Sequence, residues 1–112
     1  MLDRLSMSVG ELDAQRLQDR FAGVDVSRIA DVVPRRPARF GGEIRSQHRS
    51  AADGRPLLRV AVSDGTGTAL VVFTGRSRIR GFEVGRAVLF EGVGRREGDR
   101  LVVLNPAYTL LS

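Results

Sequence analysis

Arginine is the residue type that gives this sequence its candidate chemistry. The chain has no lysine, and its 18 arginines against 13 acids leave a net charge of +5. Residues 35–112 carry fourteen arginines and seven acids, whereas residues 1–34 are net negative. A guanidinium offers a fixed positive charge and a flat plane, which suit phosphates and bases. This pattern favours a polyanionic partner; a genome rich in G and C, which favours arginine over lysine, is the alternative source of the excess.

The other residue types that carry chemistry are scarce. His48 is the single histidine and cysteine is absent, which argues against a zinc-type metal site and a thiol nucleophile. Gly65-Thr66-Gly67 lacks the third glycine of a dinucleotide fingerprint and opens a strand rather than a helix. We therefore predict a protein that is not an enzyme and that uses no metal, cofactor or small-molecule substrate.

No part of the sequence reads as a membrane or export signal. No stretch approaches the ~20 apolar residues of a membrane span. The first residues, 1–7, lack the apolar run of a signal peptide. We expect a cytoplasmic protein with no membrane contact.

The strongest local signal is Asp64-Gly65-Thr66-Gly67, which separates apolar runs at residues 57–63 and 69–73. An Asp-Gly pair between such runs is typical of a β-hairpin. Glycine adopts positive φ at no steric cost, and the Asp64 carboxylate can accept hydrogen bonds from backbone N–H groups two or three residues on. The sequence predicts that this hairpin is the middle of a small β-barrel.

The two strands of the hairpin differ in how well the sequence orients them. In the first strand, Leu58, Val60 and Val62 form the inward set, so Arg59 points outward. The second strand is apolar throughout, which leaves two orientations open. The inward set is either Leu70 and Val72 or Ala69, Val71 and Phe73.

Residues 1–34 form a predicted helical extension ahead of the barrel. Ser8 and Glu11 have the spacing of a capping box, and apolar residues recur at helical spacing as far as Phe21, so we predict a helix over residues 9–22. Its polar face, which mixes acids with Arg16 and Arg20, is typical of a solvated surface. Residues 27–32 could add one further helical turn.

The remaining strands follow from alternation and from breaks at glycine. We predict a first strand over residues 38–46, bent at a glycine pair, and then a polar loop over residues 47–56. Residues 75–85 break the strand pattern and predict a short helical segment or loop, from which Ile79 and Phe82 plug the barrel floor.

Two more strands complete the barrel, at residues 86–94 and 101–104, joined by a charged turn at residues 95–100. Five strands with a helical segment between the third and fourth make up the plan of an OB-fold. The predicted class is therefore mainly β, with a five-stranded OB-fold barrel over residues 35–112.

Several short motifs in this barrel resemble the OB domain, or wedge domain, of RecG-type helicases and small stand-alone actinobacterial OB proteins. The motifs are Phe40-Gly41-Gly42-Glu43-Ile44, Asp64-Gly65-Thr66-Gly67, Val84-Gly85, Phe90-Glu91-Gly92 and Asn105-Pro106-Ala107-Tyr108. The resemblance covers residues 28–110. The motor domains of such helicases, with their phosphate-binding loops, have no counterpart in this sequence, so the resemblance does not imply branch migration. It implies a nucleic-acid-binding face, with single-stranded or branched DNA as ligand and a link to DNA repair or recombination.

An OB barrel binds ligands on the outer face of its second and third strands and on two flanking loops. Arginines lie in both predicted loops and on the second strand, and Phe73 of the third strand is the one aromatic residue that could be exposed for stacking. The predicted nucleic-acid-binding residues are Arg39, Arg45, Arg49, Arg55, Arg59, Phe73, Arg76, Arg78, Arg95 and Arg96.

A protein-interaction module is the competing interpretation. Aromatic residues make up only 5% of the chain, which is few for a surface on which bases stack. The amphipathic N-terminal helix could instead dock on a partner protein. Arginines that converge on one strand face favour nucleic acid, whereas an exposed apolar patch between helix and barrel favours a protein partner.

Overall fold

The computed structural model describes residues 7–111. One helix, α1 (Val9–Phe21), and a short 3-10 turn (Ile29–Asp31) precede six strands. The strands are β1 (Pro37–Ala52), β2 (Arg55–Ser63), β3 (Thr68–Thr74), β4 (Ala87–Glu97), β5 (Arg100–Leu104) and β6 (Ala107–Leu110).

Five of the strands form a closed ring. The sheet order is β1-β2-β3-β5-β4, and pairing of β1 with β4 closes it. The β3–β5 pair is parallel, and every other pair in the ring is antiparallel. This is the Greek-key barrel of the OB-fold, so the predicted fold class is confirmed. A sixth strand that the sequence analysis did not predict, β6, pairs with β4 outside the ring.

The barrel interior is filled by the inward sets of all five ring strands. Phe40 and Phe90 stack with ring centroids 5.4 Å apart, and the valines and leucines of β2, β3 and β5 surround them. Ile79 and Phe82 belong to the same cluster, which confirms that they plug the barrel. Alternating burial along β2 confirms the predicted orientation of that strand.

The predicted loop at residues 47–56 is wrong, because these residues form a protruding hairpin arm. β1 continues to Ala52, pairs with β2 throughout, and turns at Asp53 and Gly54, both with positive φ. Beyond the end of the barrel most side chains on both sides of the arm are exposed, so the sequence has no apolar alternation there. A bulge between Ile44 and Ser46 redirects β1 from β4 towards the arm.

Two connections refine the predictions. Of the two alternatives for the segment between β3 and β4, the loop is the one formed: residues 75–86 consist of turns, with hydrogen bonds from Phe82 N to Ile79 O at 3.1 Å and from Arg86 N to Glu83 O at 2.9 Å. The charged turn predicted over residues 95–100 shortens to Gly98 and Asp99, because β4 extends to Glu97 and β5 begins at Arg100. Arg95 and Arg96 therefore lie on a strand.

The Asp64 carboxylate closes the central hairpin as predicted and also reaches beyond it. One oxygen, Oδ1, accepts hydrogen bonds from Thr66 N at 2.9 Å, Thr66 Oγ1 at 2.6 Å and Gly67 N at 3.3 Å. The other, Oδ2, accepts from Ile29 N at 2.9 Å, at the start of the 3-10 turn. This buried side chain therefore fixes the turn that leads into β1 against the hairpin.

The N-terminal helix packs on the barrel. Ser8 caps it, accepting from Glu11 N at 3.1 Å, and its bounds match the prediction. Leu17 and Phe21 are buried. Gly65 has φ +85, and a Cβ placed there would lie 2.1 Å from Ala14 O, so the absence of a side chain allows α1 to touch the turn.

Replacing Gly65 by Ala should destabilise the fold more than replacing Gly54 by Ala. Both glycines have positive φ, but a Cβ on Gly54 would meet nothing within 4 Å. Gly54→Ala should therefore cost only the left-handed backbone strain, about 1 kcal/mol, whereas Gly65→Ala must also displace α1. Urea unfolding of both variants measures the difference in their free energies of unfolding. Equal losses of this free energy would contradict the docking of α1 on this turn.

Candidate nucleic-acid interface

The outward-pointing residues of β2, β3 and β5 form one continuous surface, here called the outer face. The register aligns Arg59, Val72 and Leu104 in one row and Ala61, Leu70 and Val102 in the next. Their neighbours along each strand are the buried core residues, which confirms the outward direction of Arg59. The centre of the outer face is thus an aliphatic strip in which Leu70 and Val72 are half-buried and Val102 is buried, and at its edge Leu104 is 55% exposed.

Basic side chains lie on both sides of this strip. On one side, Arg59 is paired in register with His48 of β1, and its Nη1 lies 3.3 Å from Ser50 Oγ. Arg55 is exposed on the arm beyond them. On the other side, Arg95 of β4 is opposite Val102, and the exposed Arg100 begins β5.

The geometry of this surface suits an extended polyanion. Two strands, β3 and β5, lie between Arg59 of β2 and Arg95 of β4 along the sheet. Arg95 donates from Nε to Glu97 Oε2 at 2.7 Å, so part of its charge is compensated. An apolar floor between cationic rims can cover the faces of bases while the rims contact phosphates.

Phe73 does not belong to this surface, so its prediction as an exposed stacking residue is wrong. Its side chain is 3% exposed and makes edge contacts with Phe82 at 5.7 Å and Tyr108 at 5.9 Å between ring centroids. The register with Leu58 decides this orientation, because paired residues on adjacent strands point to the same side.

Three of the predicted arginines are held elsewhere. Arg96 points to the other side of β4 and donates to the carbonyl oxygens of Ile29, Ala30 and Val32 at 2.8, 3.3 and 3.2 Å. It therefore holds the 3-10 turn on the barrel. Arg39 pairs with Glu91 at 2.8 Å on the β1–β4 side, and Arg45 pairs with Asp13 of α1 and with Glu43 of β1. The structure does not bring these three to the outer face.

The other three predicted arginines lie near the segment at residues 75–86. Arg49 is next to His48 on β1 but points to the opposite side of the arm, where its Nε donates to Ser77 O at 2.8 Å. Arg76 and Arg78 are exposed on the segment itself. Of the ten predicted residues, the outer face therefore brings together Arg55, Arg59 and Arg95.

Glu43 explains why Arg45 is not available. This buried carboxylate accepts from Arg16 at 3.0 and 2.9 Å and from Arg45 at 2.8 Å, and it also pairs with Arg20. Arg20 donates in addition to Gly85 O at 2.9 Å. Arg16 and Arg20 are exposed, as the prediction of a solvated face requires, but both also attach α1 to the barrel through Glu43.

These contacts shift the acid–base properties of the cluster. Hydrogen bonds from Arg16 above all, with Coulomb attraction from Arg16 and Arg20, lower the pKa of Glu43 to about 2. A hydrogen bond from Arg16 likewise lowers the pKa of Asp13, and the hydrogen bonds that Arg16 donates to Glu43 raise the pKa of Arg16. The cluster is fully charged at neutral pH.

Acid should weaken the fold through Glu43. The pKa of Glu43 is lower in the folded than in the unfolded state, so its ionised form stabilises the fold fully above about pH 4.5. This stabilisation is lost as the pH falls towards 2, which lowers the free energy of unfolding by on the order of 3 kcal/mol. Free energies of unfolding measured from pH 6 to pH 2 should fall less steeply for Glu43→Gln, which is less stable at pH 7. Parallel curves for the two proteins would contradict this role.

Sequence reasoning missed four contributors to these surfaces. His48 was assigned to a loop, and the partners of Arg59 and Arg95, Val72 and Val102, could not be named without the register. Arg80 lies within residues 75–85, where the sequence indicates no strand. The one usable signal in the sequence for an exposed strip is Leu104. This aliphatic residue ends a short strand, next to a turn and a proline.

Neither a metal centre nor a membrane helix is found in the part of the chain that the structure describes. Among residues 7–111, no three acidic or histidine side chains lie close enough together to hold a metal ion. No helix in the same range is long and apolar enough to cross a membrane.

Comparison with known proteins identifies structural neighbours but no sequence family. No protein-family model matches the chain, and no curated protein matches it. A domain of replication protein A from Methanococcus maripaludis is similar with a TM-score of 0.63 and 13% identity, over 76% of this chain and 93% of that one. A replication factor A related protein from Methanobacterium thermoautotrophicum is similar with a TM-score of 0.59 and 17% identity, over 79% and 92%. At such identities the likeness shows a shared fold.

Proposed function

We propose that this protein is a non-enzymatic nucleic-acid-binding OB module that holds a single strand across its outer face. The observation that supports this most is the placement of Arg59 and Arg95 on opposite sides of one aliphatic strip. Phosphates would contact the two basic sides, and bases would lie over Val72 and Leu70. Arg59 can also offer its guanidinium plane to a base.

A single strand is the form of ligand that this surface suits. Bases can cover an apolar floor only when their faces are free, which requires that they are neither stacked nor paired within a duplex. DNA is the proposed ligand, since both structural neighbours are named for replication proteins. A branched DNA and a role in repair or recombination rest on the resemblance to the wedge domain of RecG-type helicases.

A protein-interaction module is the second candidate, and one observation favours it. On α1, Val9 is 84% exposed and Leu12 is 40% exposed, although the same helix buries Leu17 and Phe21 against the barrel. The strip on the outer face differs from this patch in having Arg59 and Arg95 on its two sides. We therefore place the nucleic-acid function first.

Arg59→Ala should weaken binding of a labelled single-stranded oligonucleotide by about 1–3 kcal/mol, the range for loss of a stacking plane. Arg28→Ala is the matched control, since Arg28 is an exposed arginine beside Asp31, outside the outer face. Its effect should be small, because charges are screened beyond ~10 Å at 0.1 M salt. Fluorescence anisotropy titrations of both variants and the wild type measure the two losses.

Equal losses of affinity in Arg59→Ala and Arg28→Ala would indicate a diffuse basic surface instead of a defined binding face. That result would favour the protein-interaction module. Arg16 and Arg20 are unsuitable controls, because removing either disturbs the Glu43 cluster. Arg59 and Arg28 are both exposed, so both variants should keep their stability within about 0.5 kcal/mol.

Binding should also weaken steeply with salt. If three to five phosphates are contacted, log affinity should fall against log salt concentration with a slope of about −2 to −3.5 for a single strand. The same anisotropy titration repeated from 50 mM to several hundred millimolar salt gives the slope. An affinity that stays constant over this range would contradict phosphate contacts.

A further inference from the structure

A second basic surface lies behind the hairpin arm. The arm and the segment at residues 75–86 enclose an open cavity of about 380 Å³. Its lining includes Gln47 and Arg49 from the arm and Arg78, Arg80 and Glu83 from the segment. This cavity is separate from the outer face, because Arg49 and His48 are adjacent on β1 and their side chains point to opposite sides of the arm.

The walls of the cavity are fixed by hydrogen bonds. Gln47 Nε2 donates to Phe82 O at 3.0 Å, and Arg49 Nε donates to Ser77 O at 2.8 Å. Ile79 is buried in the core, which anchors the segment between Arg78 and Arg80. The arm and the segment therefore present their arginines from both sides of one opening.

The charge of the cavity is predominantly positive. Three arginines line it against a single acid, Glu83. No ion pair involves Arg49, Arg78 or Arg80 within residues 7–111, unlike Arg16, Arg39 and Arg45. Arg78 and Arg80 are exposed, so they can reach a ligand without losing an existing partner.

We propose that this cavity binds phosphates of the same nucleic-acid strand that lies on the outer face, after the strand passes around the edge of the arm. The inference rests on the proposed function and extends it to a second site. A short strand would occupy the outer face alone, whereas a longer one would also reach Arg49, Arg78 and Arg80. The arm would then be contacted on both sides.

The test uses two lengths of oligothymidylate, about 5 and about 15 nucleotides, which bracket the site sizes of OB-folds. The double variant Arg78→Ala/Arg80→Ala should bind the short strand as the wild type does and lose about tenfold in affinity for the long one. Its salt slope for the long strand should be smaller by about 1.4, since two phosphate contacts are removed. Arg28→Ala/Arg36→Ala removes the same charge from residues that line neither surface and should keep both affinities.

The outcomes separate this inference from the proposed function. A wild type that binds neither oligonucleotide overturns the proposed function and the second site together. A wild type that binds both lengths equally, or two double variants that lose the same affinity for the long strand, overturns the second site alone. Selective loss of the long-strand affinity in Arg78→Ala/Arg80→Ala supports it, and thermal unfolding checks that each variant is folded.

Discussion

The fold depends on one buried carboxylate and the four hydrogen bonds that it accepts. A buried polar group is costly unless its hydrogen bonds are made, and Asp64 meets this condition with donors from Thr66, Gly67 and Ile29. These donors come from two distant parts of the chain. The hairpin turn and the 3-10 turn are therefore fixed relative to each other, and Gly65 lets α1 lie against the same turn. The register of β2 with β3, which starts at this turn, in turn sets which residues form the outer face.

Two groups of arginines have different physical roles. One group stabilises the fold: Arg16, Arg20 and Arg45 surround Glu43, and Arg96 donates to three carbonyl groups. The other group is exposed around the outer face and the cavity behind the arm. Only some of the arginines are thus available for a ligand, and the net charge by itself overestimates the size of the binding surface. Arg55, Arg59, Arg95 and Arg100 lie around the strip and Arg49, Arg78 and Arg80 line the cavity, whereas Arg28 and Arg36 are exposed outside both.

The sequence predicts the fold better than the site, for physical reasons that particular residues illustrate. Alternation in β2 and the Asp-Gly turn identify the hairpin, since a half-buried strand must alternate. The same reasoning fails for Phe73, because a strand that is apolar throughout has no polar side, and its orientation follows from pairing with Leu58. It also fails for the arm, where most side chains on both sides meet solvent, and for Arg96, whose partners are carbonyl groups some 65 residues away. The resemblance to the wedge domain of RecG-type helicases stays a prediction beside the structural likeness to replication protein A domains.

The most direct test of the central claim is an NMR titration of the labelled protein with a short single-stranded oligonucleotide. Binding across the outer face predicts that the largest amide shift changes fall on β2, β3, β5 and the end of β4, around Arg59, Val72, Val102 and Arg95. Amides of α1 and β6 should shift little, because those elements lie outside this surface. Shift changes concentrated on α1 around Val9 and Leu12, or absent throughout, would contradict the account.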